Sequence, residues 1–222
     1  MLGTLAISLS VMKMRVQPAH KRKLWEVSAM KEKPFTFFTL GMFFGFMGLY
    51  IPFFYVQSYA ISEKIMSENT AFYMLSVMNA ASIFGRIIPN FIADKTGPLN
   101  IIIPGTIATS ILGFGWVGIH ETAGLVVFCI LYGFFSGSFV SIPPTVLVTL
   151  SPNMGVVGTR MGMCFALCGL GLLVGTPVAG QFIRQVGYDA AIYFCGGVVA
   201  LGAVFMIMAR ISKVGYGLKA IA

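Results

Sequence analysis

Charge is the first shortage in this chain of 222 residues. Asp, Glu, Lys and Arg together make up 10% of it, where a soluble domain of this size carries about a quarter. Acidic residues are the scarcest, seven in all, and there are two histidines, His20 and His120. No H-E-x-x-H or G-x-S-x-G run occurs, and the carboxylates fall in loops or at the ends of apolar stretches, with no pair set up for acid–base work. The sequence therefore argues against an enzyme. The absence of a Walker motif argues against direct use of ATP. Cys129, Cys164, Cys168 and Cys195 all lie inside apolar stretches without histidines nearby, so they read as small buried residues rather than metal ligands. No metal and no cofactor are expected. N-glycosylation sequons and lipidation signals are missing too.

What the chain has in abundance is apolar length: 57% of the residues are hydrophobic and 14% aromatic. Six long stretches, residues 34–60, 70–93, 99–119, 123–149, 158–183 and 190–209, are each long enough to cross a bilayer. Residues 1–12 are apolar but short, and charges follow rather than precede them, the reverse of a secretory signal. They read as the remnant of a preceding transmembrane helix, with 13–33 a basic linker, 34–209 a six-helix bundle and 210–222 a tail. The formal net charge of +8 would suggest nucleic acid for a soluble protein. Here the cations sit between spans, and the positive-inside rule accounts for them. With the linker in the cytoplasm, twelve of the fifteen cations are cytoplasmic, Lys64 and Arg184 lie outside, and Arg86 alone is left within a span. Both termini are then cytoplasmic. The expected setting is a multi-pass protein, of the plasma membrane ahead of vacuolar or other internal membranes, with the lipid bilayer as its partner and no nucleic acid.

The spans repeat. The first contains GMFFGFMGLYIP, ending at Pro52, and the fourth GFFSGSFVSIP, ending at Pro143. The second closes with GRIIPNFIADKTG and the fifth with GTPVAGQFIRQVG. Spans one to three thus echo spans four to six, and an odd number of helices per copy inverts the second copy in the membrane. The expected fold class is all-α, six transmembrane helices as a 3+3 inverted repeat. Prolines interrupt most spans, either as packing kinks or as bends that gate, with Pro52 and Pro143 the candidates for gating.

The polar residues of the second span carry the most information. Asn79, Ser82, Arg86, Asn90 and Asp94 are three, four, four and four apart, which keeps them on one helical face. Such a stripe cannot face lipid cheaply, and an intramembrane Arg needs an anionic solute, carbonyls, water or a carboxylate as partner. Arg86, Asn79, Ser82 and Asn90 are therefore the candidate substrate or coupling residues, with Tyr50 and Gln57 of the first span as weaker ones. On the fourth span Ser138, Ser141, Thr145 and Thr149 form a second stripe, for which structural bonds to the helix's own backbone or to a neighbouring helix are the favoured role. Tyr55 and Tyr59 have the composition of interfacial anchors.

Gly85-Arg86 followed by Asn90-x-x-x-Asp94-Lys95-x-Gly97 resembles the second copy of the loop signature of the major facilitator superfamily, with Asn90 at its first glycine. Residues 41–60 resemble the seventh helix of the fungal branch of the monocarboxylate-porter family, the basic linker its central loop, and residues 1–12 the end of its sixth helix. The resemblance covers nearly the whole chain and the C-terminal half of that family's twelve-helix fold. It implies secondary transport of monocarboxylates or similar small organic solutes by alternating access, with symport of protons, and a second six-helix half or a second copy as partner. It places the family's intramembrane arginine on Arg86 and assigns the loop and gating positions to Gly85, Asp94, Lys95 and Gly97. Where the family has an aspartate one turn before the arginine, this chain has Ser82. A protein that binds and regulates a full-length transporter is the competing expectation.

Overall fold

The computed structural model describes Glu26 and residues 28–215; the expectations for residues 1–12 and for most of the linker lie outside them. The described chain is built of helices joined by short turns: α1 (Lys33–Leu49), α2 (Ile51–Ser62), α3 (Glu68–Thr96), α4 (Pro98–Gly115), α5 (Thr122–Ser141), α6 (Pro143–Thr149), α7 (Met154–Gln185) and α8 (Tyr188–Val214). They make six spans. The first is α1 with α2, the fourth is α5 with α6, and α3, α4, α7 and α8 are the second, third, fifth and sixth. The spans run from 21 to 32 residues. At 1.5 Å per residue each exceeds a hydrocarbon core of about 30 Å. The sixth continues through Arg210 and Lys213 to Val214 before a turn at Gly215, so these cations belong to its last turns.

The two Ile-Pro pairs are where the first and fourth spans break. Pro52 and Pro143 each stand at the start of a new helix, after single-residue joints at Tyr50 and Ile142. Proline has no N–H to give to the residue four places earlier, and its ring crowds that carbonyl. Pro89, Pro104 and Pro177 stay inside continuous helices, as the shielded interior of a membrane bundle permits.

The pairing of the spans follows the repeat. The second packs on the fourth and the first on the fifth; the first packs on the sixth and the third on the fourth; the third packs on the sixth. Exchanging one with four, two with five and three with six maps this set of pairs onto itself. Two glycine seams mark the related contacts. Gly133 and Gly137 of the fourth span lie against the carbonyls of Met78 and Ser82, with Gly85 against that of Phe134; on the other side Gly171 and Gly175 of the fifth span lie against the carbonyls of Phe43 and Met47. No side chain fits at these points, so the backbones close on each other as small-residue interfaces in membranes do.

Two clusters make most of the core: one centred on packed rings, the other mixing Phe35, Phe38 and Phe139 with aliphatic side chains. Tyr59, Trp116, Phe128 and Tyr132 are all buried and in ring contact. Tyr59 donates to the Ile119 carbonyl at 2.9 Å and Tyr55 to the Thr176 carbonyl at 3.1 Å. Both tie α2, the second half of the first span, to its neighbours. The second and fifth spans are the least buried of the six, which leaves the polar stripe at an edge of the bundle.

Candidate functional site

The glycine seam between the second and fourth spans sets the floor of a small cleft. Where Gly137 lets the two backbones meet beside Ser82, the side chains on either side leave a cavity of about 90 Å³ lined by Tyr50, Phe53, Asn79, Ser82, Arg86 and Ser136, with Leu49, Gly137 and Val140. Three spans contribute. The break at Tyr50 turns the Tyr50 and Phe53 rings, 5.6 Å apart, into one aromatic wall. The second span supplies the polar wall from three positions one turn apart.

The three small polar side chains of this cleft each donate to a carbonyl of their own helix. Ser82 donates to the Asn79 carbonyl at 2.7 Å, Asn79 to the Leu75 carbonyl at 2.9 Å, and Ser136 to the Gly133 carbonyl at 3.0 Å. Their oxygens remain free to accept. Arg86 makes no ion pair among the described residues; the salt bridges found there belong to another arginine. Asp94, the carboxylate on its own helix face, is eight residues away, about 12 Å along the axis. A guanidinium carries five donors, and with no carboxylate in reach it can take an acceptor-rich group.

The structure thus gathers Tyr50, Asn79, Ser82 and Arg86 from the expected set and leaves others elsewhere. Asn90 sits one turn below, donating to the Arg86 carbonyl and, at 2.8 Å, to Ser141 on the fourth span. Gln57, in the outer half of the first span, is half-buried and does not line the cleft. Asp94 and Lys95 are exposed and form no ion pair among the described residues. Gly97 has φ +94°, the left-handed region that a side chain strains, and lets α3 turn directly into α4. Gly85 faces the Phe134 carbonyl and serves the seam. On the fourth span Ser138 faces away from the cleft: its hydroxyl donates to the Phe135 carbonyl and lies toward Gly105 of the third span. Ser136, two positions earlier, is the one that reaches the site. The signal for it was available, since Gly133, Ser136, Gly137 and Val140 share one helical face.

A second feature escaped the sequence altogether. Arg160, counted among the cytoplasmic charges although it falls within the 158–183 stretch, lies within α7 and is 0% exposed. Its guanidinium is ringed by carboxylates of the linker: Nε donates to Glu26 at 3.1 Å, Nη2 to Glu26 at 3.2 Å and to Glu32 at 2.6 Å, and Nη1 to Glu32 at 2.8 Å and to the Leu150 carbonyl at 2.9 Å. The Phe35 ring lies 5.4 Å from its carbon centre. All five donors are thereby used. The bonds from Arg160 hold the Glu26 carboxyl below its ordinary value of 4.5, against the smaller opposing effect of burial. The linker is strapped to the start of the fifth span by this one side chain.

No family model matches the chain. Several curated proteins do. The MFS-type transporter dbaD of Emericella nidulans is 39% identical over 208 residues, which is 93% of this chain and 47% of the relative. The Aspyridones efflux protein apdF of the same organism is 34% identical over 209 residues, 91% of this chain and 42% of the relative. The Agnestins efflux protein AgnL12 of Paecilomyces divaricatus is 38% identical over 197 residues, 88% of this chain and 45% of the relative. The chain spans about half the length of the curated relatives it matches. Six spans packed as an inverted repeat, joined to this similarity over nine-tenths of the sequence, make the chain a multi-pass membrane protein similar to MFS-type transporters.

Proposed function

We propose that the chain forms one six-helix wall of a secondary active transporter for small organic solutes, working by alternating access, with the Arg86 cleft as the solute or coupling site. The observation that carries this is an intramembrane arginine without a carboxylate partner, set in a cavity with an aromatic wall on one side and hydroxyl and amide oxygens on the other. A solute with an anionic or strongly polar oxygen group and an apolar body fits that division. The cavity of about 90 Å³ is well below the several hundred that hold a whole metabolite. We infer that a facing six-helix half, in keeping with relatives about twice as long, closes the rest of the site. Two relatives are named for the efflux of aspyridones and of agnestins, which favours export of a related class of organic product over uptake of a short monocarboxylate. Ser82, where the monocarboxylate porters have an aspartate, points the same way, since it offers no proton-carrying carboxyl beside Arg86. Proton symport would then need a carboxylate from the facing half.

The test is flux of a labelled aromatic carboxylate and of its neutral amide in proteoliposomes. Arg86→Ala is expected to abolish carboxylate flux and Arg86→Lys to retain a minor fraction, because a point charge replaces a forked donor. Unchanged flux in a normally folded Arg86→Ala protein would remove Arg86 from the site.

A further inference from the structure

The wall of the cleft depends on the bend in the first span, and that bend leaves the carbonyl of Gly48 short of a partner. In a continuous helix the Gly48 carbonyl would receive the N–H of residue 52. Residue 52 is proline and has none to give. The Gly48 carbonyl is left with the amide of Tyr50, folded back on it at the helix end, and with a side chain from another span. That side chain is Cys195 of the sixth span, whose thiol donates to the Gly48 oxygen at 3.4 Å. The next carbonyl, Leu49, receives the hydroxyl of Tyr132 from the fourth span at 2.9 Å. The Tyr132 hydroxyl and the Cys195 sulfur are themselves 3.9 Å apart, and both residues are 0% exposed. Gly48 has to be glycine for the thiol to arrive: a Cβ there would lie 2.8 Å from the Cys195 carbonyl oxygen and still closer to Val198 and Val199.

We propose that Tyr132 and Cys195 are positioning residues that hold the bend at Pro52 and thereby set the aromatic wall of the Arg86 cleft. The chain of contact is short. The Tyr132 ring lies 6.2 Å from that of Phe53, and Phe53 lies 5.6 Å from Tyr50; Phe53 and Tyr50 both line the cleft opposite Arg86. In a bilayer no water competes for the two carbonyls, so a donor supplied from a neighbouring span decides which way the broken helix turns. In the fourth span, broken by Pro143, the carbonyl that the proline frees is that of Phe139, and among the described residues no side chain of a neighbouring span donates to it, which makes the clamp a property of the first span rather than of proline kinks in general. That the cleft is the solute site is the reading proposed above; the clamp itself can be tested without it.

Two readouts on the full chain in lipid suffice. The first is the infrared S–H stretch of Cys195, isolated as the difference between the protein and its Cys195→Ala variant. The band is expected at the low frequency of a donating thiol, and Pro52→Ala is expected to move it upward, because the restored N–H of residue 52 takes the Gly48 carbonyl. The second is the distance between spin labels at Lys33→Cys and Ser62→Cys, the two exposed ends of the first span. Tyr132→Phe and Cys195→Ala are expected to shift or broaden that distance, while Cys195→Ser, which keeps a donor, leaves it as it was. A Cys195 band indifferent to Pro52→Ala, or Ser and Ala at position 195 giving the same distances as the parent and as each other, would overturn the clamp. If the clamp stands and carboxylate flux nevertheless ignores Tyr132→Phe, the reading of the cleft as the solute site fails instead.

Discussion

At the scale of single residues the chain contrasts two arginines. Arg86 is exposed at the edge of the bundle and without a carboxylate; Arg160 is sealed and has two. The second case gives an asymmetric prediction. The Arg160 side chain is 0% exposed, while those of Glu26 and Glu32 are 18% and 43% exposed. Removing both carboxylates by Glu26→Gln with Glu32→Gln strands a buried cation, and breaking a buried pair in that way costs about 3–5 kcal/mol. Arg160→Met instead leaves two carboxylates that water can reach, and is expected to cost clearly less. Denaturation midpoints of the purified variants in mixed micelles rank them. The same cluster predicts a pH response. Because the folded Glu26 carboxyl titrates below its ordinary 4.5, its stabilisation is complete above that value and is lost as pH falls through the lowered folded value. Melting temperature from pH 7 downward should therefore drop more steeply below about 4.5 in the parent than in Glu26→Gln. Parallel curves would show that Glu26 is not linked to folding. Sequence reasoning passed over Arg160 because it treated cations as topology markers. A buried ion pair is a contact between residues 26 and 160, and nothing local to Val157-Gly158-Thr159-Arg160-Met161 announces it beyond a cation within the start of an apolar stretch.

At the scale of elements the legible and the illegible separate along the same line. The breaks at Pro52 and Pro143 were readable because proline acts on its own helix. The polar stripe of the second span was readable because helical spacing fixes which residues share a face. Which face of the fourth span meets it was readable only through Gly133 and Gly137, which share a face with Ser136, because Ser136 and Ser138 themselves have the same chemistry. Glycines divide in the same way. Gly85 of the second span and Gly169 of the fifth are indistinguishable in sequence, yet the first lies against the Phe134 backbone and the second has open space. Gly85→Ala is expected to force the second and fourth spans apart, at a cost of roughly 1–3 kcal/mol for overpacking and with loss of the cleft. Gly169→Ala should be neutral or stabilise by up to about 1 kcal/mol through helix propensity. Equal effects of the two substitutions on unfolding midpoint would mean that the seam is not the tight contact it has been taken for.

At the scale of the whole molecule the charges and the packing make one combined prediction, that of sidedness. Six crossings return the chain to the side it started from, so Lys33 and Ser212 must share a compartment, and Ser62 and Thr122 must share the other. The positive-inside rule decides which is which: the turn carrying Lys95 and the run from Arg210 to Lys213 join the cytoplasmic linker, while the turns that hold Lys64 and Arg184 face outward. The Arg160 cluster depends on the same assignment, since the linker that supplies Glu26 and Glu32 can reach the start of the fifth span only if both lie on one side. Single cysteines at Lys33, Ser62, Thr122 and Ser212, all exposed, can be challenged with a membrane-impermeant maleimide on intact cells and again after lysis; the four native cysteines are buried. Labelling of positions 62 and 122 on intact cells, and of 33 and 212 only after lysis, is the expected result for a chain in the plasma membrane. Labelling of 33 with 62 would break the six-span topology itself. The opposite pairing, 33 and 212 outside, would keep the bundle but turn it over, placing the Arg160 strap outside.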